Sequence, residues 1–210
     1  MTAPGPVLAP TTESARLRSV PSRAAVDVPA AEHAVALLLR ALGKDPAAVH
    51  LAETPRRVAG AFAELLTGPP LELTTFPNEG YDELVIATDI PVQSLCEHHL
   101  LPFTGVAHIG YLPGDRILGL SKLARVLDLF ARDLQVQERL TQQVADWLET
   151  NLAPRGVGVV IEAEHLCMSL RGVRARGART TTSALHGLLR EDARSRQEFF
   201  ALSGMRGRTA

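Results

Sequence analysis

Residues 157–168 constrain this chain more than any other segment. Val157, Val159, Ile161, Ala163, His165 and Cys167 occupy alternate positions. A strand sends alternate side chains to one face, so this face starts apolar and ends in an imidazole and a thiol. Such a strand needs partners, and two candidates precede it. Leu84, Ile86, Thr88, Ile90 and Val92 alternate onto one face, with Pro91 marking an edge or a bend. Residues 103–111 return and end at the turn signal Pro113-Gly114-Asp115, so the two runs read as an antiparallel pair. A short strand around Thr180–Thr182 follows the constraining segment.

Helical periods fill the gaps. Val35, Leu38, Leu39 and Leu42 recur at helical spacing between Pro29 and Gly43. Thr54-Pro55 reads as a cap and a first-turn proline before Val58, Phe62, Leu65 and Leu66. Ser121 reads as the cap of a helix with Leu123, Val126, Leu127 and Phe130 on one stripe. After a break near Gln135, Leu140, Val144, Trp147 and Leu148 mark another helix, and a last one runs through Phe199. The order predicts an α+β fold with an antiparallel sheet. Residues 1–27 hold four of the fourteen prolines and no stable period, so they read as a flexible tail before one domain over 28–210. Within that domain, N-terminal helices are expected over 28–68 and the sheet-bearing region over 80–205.

Composition excludes several classes. The chain is 46% hydrophobic with six Phe, two Tyr and one Trp, so its core is aliphatic. A net charge of −1 gives no footprint for non-specific nucleic-acid binding. No apolar run is long enough to span a membrane, and no secretory signal is visible, so the expected location is cytoplasmic.

The chemistry concentrates in Cys96-Glu97-His98-His99 and His165-Leu166-Cys167. Cys96, His99 and Cys167 offer two sulfurs and a nitrogen, which suit zinc and leave a fourth position open, as in a catalytic site. His98 and His165 are left beside them as proton carriers. A Cys-x-x-His pair alone is a weak signal. Buried cysteines often serve as small hydrophobes, and a Cys96–Cys167 disulfide is a competing reading. Lys122, Arg125, Arg171, Arg174, Arg176 and Arg179 form a basic set that would suit a polyphosphate if it converged near the metal. An ordinary solvated surface is the plainer reading of any one of these arginines.

Four motifs carry a resemblance. They are Cys96-Glu97-His98-His99-Leu100-Leu101-Pro102-Phe103, Gly119-Leu120-Ser121-Lys122-Leu123-Ala124-Arg125, Gln135-Val136-Gln137-Glu138-Arg139-Leu140-Thr141, and His165-Leu166-Cys167-Met168 followed by Arg171-Gly172-Val173-Arg174. In this order they strongly resemble GTP cyclohydrolase I, from about residue 30 to residue 203. The resemblance implies the tunnelling fold, an antiparallel sheet with helices on one face, its subunits joined into a barrel and assembled as a homodecamer. It implies hydrolysis of GTP to 7,8-dihydroneopterin triphosphate and formate, the first step toward folate and other pterins. Cys96, His99 and Cys167 match the zinc ligands, with a zinc-activated water attacking C8 of guanine. His98 and His165 match the proton-transferring histidines, and Ser121 a serine near the ribose. Glu138, with neighbouring backbone, matches the carboxylate that grips the guanine's N–H edge, and Gln137 is expected at the substrate beside it. Lys122, Arg125, Arg171 and Arg57 match phosphate-binding positions. Gly60 and Ala178 depart from the pattern, where some members carry a lysine and many a serine.

The resemblance also implies GTP and further copies of this chain as partners, with no nucleic acid and no membrane. Three other readings compete. One is a relative that stops at the ring-opened formamide, and retention of Ser121 and both histidines opposes it. Another is a non-catalytic paralogue, opposed by the complete set of ligands and histidines. The third, a nucleic-acid-binding zinc protein, fails on charge and on ligand count.

Overall fold

The structure is a computed structural model that describes residues 25–68 and 70–204. The tail expected over 1–27 lies outside the described residues up to residue 24. Two helices come first, α1 (Val28–Ala41) and α2 (Thr54–Leu66). The Asp27 side chain caps α1 by accepting from the Ala30 amide. Thr54 is not the cap of α2, as the sequence suggested: Glu53 takes that position, and Pro55 sits buried in the first turn. Next come β1 (Thr75–Pro77), β2 (Val85–Cys96), β3 (Pro102–Leu112), β4 (Arg116–Leu118) and α3 (Ser121–Ala131). They are followed by β5 (Leu134–Gln135), α4 (Gln137–Leu152), β6 (Gly156–His165) and α5 (Leu166–Ser169). The chain ends with β7 (Thr180–Gly187), α6 (Leu188–Glu191) and α7 (Ala193–Leu202).

The main sheet has the order β5-β2-β3-β6-β7, and β1 with β4 makes a separate two-stranded piece. All long pairings are antiparallel, as expected, and only the two-residue β5 lies parallel to β2. Helices α3 and α4 cover one face. Leu123, Val126, Leu127, Leu140, Val144 and Leu148 pack there on Phe103, Ile109, Tyr111, Val159 and Ile161. These side chains are almost wholly buried. Each stabilises the fold by about 1.5–3 kcal/mol relative to exposure.

Three local expectations are corrected. Residues 84–92 do not present one face. Ala87 pairs with Ile109 but Ile90 pairs with Ala107, so one extra residue sits on β2. Asp89, at φ +54°, absorbs this bulge. Leu84 and Ile86 therefore join one core cluster, while Val85, Ala87, Ile90 and Val92 join the other. Ser121 does not cap α3: Leu120 precedes the helix, and no side chain caps it. Helices also occupy more than one face. Gly110 and Gly158 lie opposite each other on β3 and β6, and a Cβ on either would stand 2.8–3.2 Å from the Phe199 ring. The missing side chains seat α7 on the face away from α3 and α4.

Gly105 on β3 is tighter still. A Cβ there would lie 1.8 Å from the backbone oxygen of Glu162. Gly105→Ala should splay β3 from β6 just beside Phe103 and His165. A loss of about 3 kcal/mol is expected in urea unfolding. A variant as stable as the parent would contradict this packing.

Candidate active site

The β2–β3 connection builds half of the site. Leu100 N–H and His99 N–H both donate to Cys96 C=O, at 2.9 and 3.3 Å, so residues 96–100 make one helical turn. Leu100 closes that turn at φ +55°, an uncommon conformation for a non-glycine residue. The turn sets Cys96 and His99 side by side, with Sγ and Nδ1 3.8 Å apart. Glu97 ties it to α4: Arg139 Nη2 donates to Glu97 at 2.5 Å, and Arg139 also donates to Leu134 C=O and to Gln135 Oε1.

The other half comes from the end of β6, and here the sequence reading needs correction. The strand stops at His165, and Cys167 lies in the single turn α5. His165 and Cys167 therefore do not share a strand face. The turn swings Cys167 toward Cys96 and His99, and the three ligand atoms lie within 4.8 Å of one another. His165 instead stacks on Phe103, with ring centroids 4.6 Å apart and planes at 11°.

The chemistry of this donor set fits a metal ion. In a tetrahedral zinc site, bonds of about 2.3 Å to sulfur and about 2.0 Å to nitrogen hold neighbouring S and N atoms roughly 3.5 Å apart. Cys96 and His99 already approach that spacing. Burial and then the adjacent Cys96 sulfur push the Cys167 thiol up, and Arg171 pulls the other way. Two crowded thiols resist ionising together, and a shared cation removes that penalty. Both cysteines are free.

His98 lies beside the triad, its Nδ1 3.8 Å from Cys96 Sγ, but it is not part of the group that includes Cys167. Burial lowers the pKa of His165 below the usual imidazole range, opposed by the charge of Glu138. His165 is thus neutral at neutral pH. Glu138 is exposed in the first turn of α4, where its charge also suits the helix N-terminus. The Gln137 side chain is buried inside the protein and bonded to His165, which leaves its backbone as the part able to meet a substrate. Only Glu138 of this pair offers a free side chain to a ligand.

The basic set does not converge within one chain. Arg171 stands near Cys167. Ser121, Lys122 and Arg125 begin α3 at the far end of the sheet, where Leu118 N–H donates to the Tyr111 hydroxyl. Phe103, beside the triad, and Tyr111 lie eight residues apart on β3, about 26 Å at roughly 3.3 Å per residue. Sequence spacing could not reveal this, because α3 runs in the same direction as β2, antiparallel to β3, and reaches the triad's end of the sheet only at its C-terminus, where Ser94 donates to Ala131 C=O. Lys122 is buried along its stem and forms no ion pair with a described residue. Arg57 is exposed on α2. Beside the triad's end of the sheet, a cleft of about 650 Å³ opens along the free edge of β2, lined by Gln93, Thr104, Glu164 and Arg179. None of the three metal-ligand residues lines it.

An α+β domain that gathers two thiols and an imidazole at one point, beside a neutral histidine, has the make-up of a hydrolytic metal enzyme. Comparison with known proteins narrows the class. The family model for GTP cyclohydrolase I matches residues 31–204. GTP cyclohydrolase 1 of Mycobacterium ulcerans is 55% identical over 180 residues, covering 83% of this chain and 89% of that protein. GTP cyclohydrolase 1 of Mycobacteroides abscessus is 52% identical over 196 residues, covering 90% and 96%. GTP cyclohydrolase 1 of Thermobifida fusca is 54% identical over 181 residues, covering 83% and 87%. The chain belongs to the GTP cyclohydrolase I family. No helix among the described residues is long and apolar enough to cross a membrane.

Proposed function

We propose that this chain converts GTP and water to 7,8-dihydroneopterin triphosphate and formate, with Cys96, His99 and Cys167 holding a zinc ion. The convergence of those three ligand atoms within 4.8 Å carries the reading. When bound, zinc supplies a Lewis-acidic centre that makes water nucleophilic near neutral pH. His165, neutral and fixed on Phe103, takes and returns protons as the imidazole ring of guanine opens and loses formate. The exposed His98 is the second proton carrier. Glu138 accepts from the N–H edge of guanine, and adenine leaves that carboxylate unpaired. Arg171 meets the substrate from the side of Cys167.

Ser121, Lys122 and Arg125 stand too far from the triad of their own chain to complete that pocket. They serve the triad of a neighbouring copy, with Lys122 and Arg125 on the triphosphate and Ser121 near the ribose. Arg57 adds to the phosphate side. The sheet edges support such an assembly: β2 is paired on its outer side only at Leu95 and Cys96, so most of that edge awaits a strand. Subunits joined edge to edge make the barrel of the tunnelling fold, and two stacked rings make a decamer.

Purified zinc-loaded protein incubated with GTP should release formate and a fluorescent oxidised pterin in equal amounts. Formate without pterin would favour a formamide-stopping relative, and neither product would refute the reading. The shared pocket makes a second prediction. Lys122→Ala and Cys167→Ala chains, each nearly inactive, should regain part of the activity when co-expressed, because some pockets draw an intact residue from each chain. No recovery in demonstrably mixed assemblies would place both residues in one chain's pocket.

A further inference from the structure

We propose that Gln137 is a positioning residue that locks His165 as its Nε2–H tautomer and leaves Nδ1 as the atom that exchanges protons with substrate. This rests on the reading of His165 as a proton carrier. The argument is one of hydrogen-bond polarity. The Gln137 side-chain nitrogen lies 2.9 Å from Ile161 C=O, 2.9 Å from Thr180 C=O and 3.1 Å from Thr182 Oγ1. Two of these partners are carbonyl oxygens, which only accept. The amide therefore presents its N–H groups to β6 and β7, because the flipped orientation would face oxygen with oxygen.

The neighbouring hydroxyls agree. Thr141 Oγ1 donates to Gln137 C=O at 2.7 Å, which uses its only proton. The 2.6 Å contact between Thr141 and Thr182 must then be a donation from Thr182. Thr182 is left as an acceptor for Gln137. The two amide protons of Gln137 are divided among three acceptors, none of which can donate to it, and Gln137 is buried with them.

Gln137 Oε1 thus faces His165 Nε2 at 2.8 Å. An amide oxygen cannot donate, so His165 Nε2 carries the proton. In the neutral ring, Nδ1 then holds the lone pair. Stacking on Phe103 fixes the ring plane, so the basic atom has one direction. A free imidazole would divide itself between two tautomers, and only one would present a base at Nδ1.

The zinc-loaded full chain, labelled with 15N at its histidine rings, provides the test. Solid-state spectra taken where the ring is neutral, with His165→Asn to identify the His165 signals, should show Nε2 protonated and Nδ1 bare. The opposite assignment overturns the proposal, and this reading needs no Gln137 variant to fold. Gln137→Met keeps the length of the side chain and removes the acceptor. It should yield a mixture of His165 tautomers and lower kcat by about 10–100-fold, with KM for GTP and zinc content unchanged. An unaltered tautomer with unaltered kcat would also overturn it. The spectra need no turnover, so a chain inert toward GTP with His165 still protonated at Nε2 would refute the proposed function while supporting the hold of Gln137 on the ring.

Discussion

Cys167→Ser should empty the metal site and stop turnover, leaving a folded protein. The thiol stands in the single turn α5 and meets Cys96 and His99 from the opposite side of the site. A hydroxyl in its place is a poor zinc ligand, and two remaining donors hold the ion weakly. Zinc content should fall below about a tenth of the parent's. Turnover should drop by more than ~10³-fold, since changes one shell further out already cost 10–100-fold. The fold should persist, because the core between α3, α4 and the sheet contains many apolar side chains that owe nothing to the metal. Circular dichroism close to the parent's, beside lost zinc, is the expected pair of results. Full zinc retention would remove Cys167 from the ligand set.

His165→Asn should separate binding from chemistry. The ring sits on Phe103, bonds to Gln137 and is held neutral by burial, yet it is not among the three ligands. Its replacement should keep the zinc and leave KM for GTP nearly unchanged. The kcat should fall by roughly 10²–10⁴-fold, the usual worth of a positioned acid–base group. Asparagine is too short to reach Gln137 Oε1, which the ring met through Nε2, so a structural cost of about 1–3 kcal/mol from the unpaired buried oxygen accompanies the loss of kcat. Near-parental kcat would take His165 out of the mechanism. Loss of zinc together with kcat would show instead that the residue supports the metal.

Much of this arrangement was legible in the sequence, for identifiable reasons. The ligand types could be read directly, because thiols and imidazoles gathered at two points suit few roles. The long strands showed as alternation, since successive side chains of a strand point to opposite faces. Where a local device interrupts that period, the reading failed. The extra residue at Asp89 exchanges the two faces of β2, and an aspartate, though commoner at positive φ than most residues, does not by itself announce a bulge. Continuing the alternation of β6 through Cys167 put it on a strand face. The chain in fact turns after His165, and only that turn brings the second sulfur to the first.

Other features depend on distant partners. Gly110 and Gly158 look like interruptions in two strands, and their purpose appears only with Phe199 between them. Gln137 reads as a neighbour of the candidate carboxylate Glu138, and nothing in the sequence shows that its side chain points inward to His165. The basic residues read as one group because all are cationic. The sheet separates Lys122 and Arg125 from Arg171 by most of its length, a fact of topology that spacing along the chain does not encode.

X-ray absorption at the zinc edge of the purified protein tests the centre most directly. Cys96, His99 and Cys167 with one open position predict one zinc per chain, two sulfur neighbours at about 2.3 Å and two lighter neighbours at about 2.0–2.1 Å. Cys167→Ser should reduce the sulfur count of any zinc that remains. A zinc with four sulfur neighbours, or with none, would contradict the centre described here.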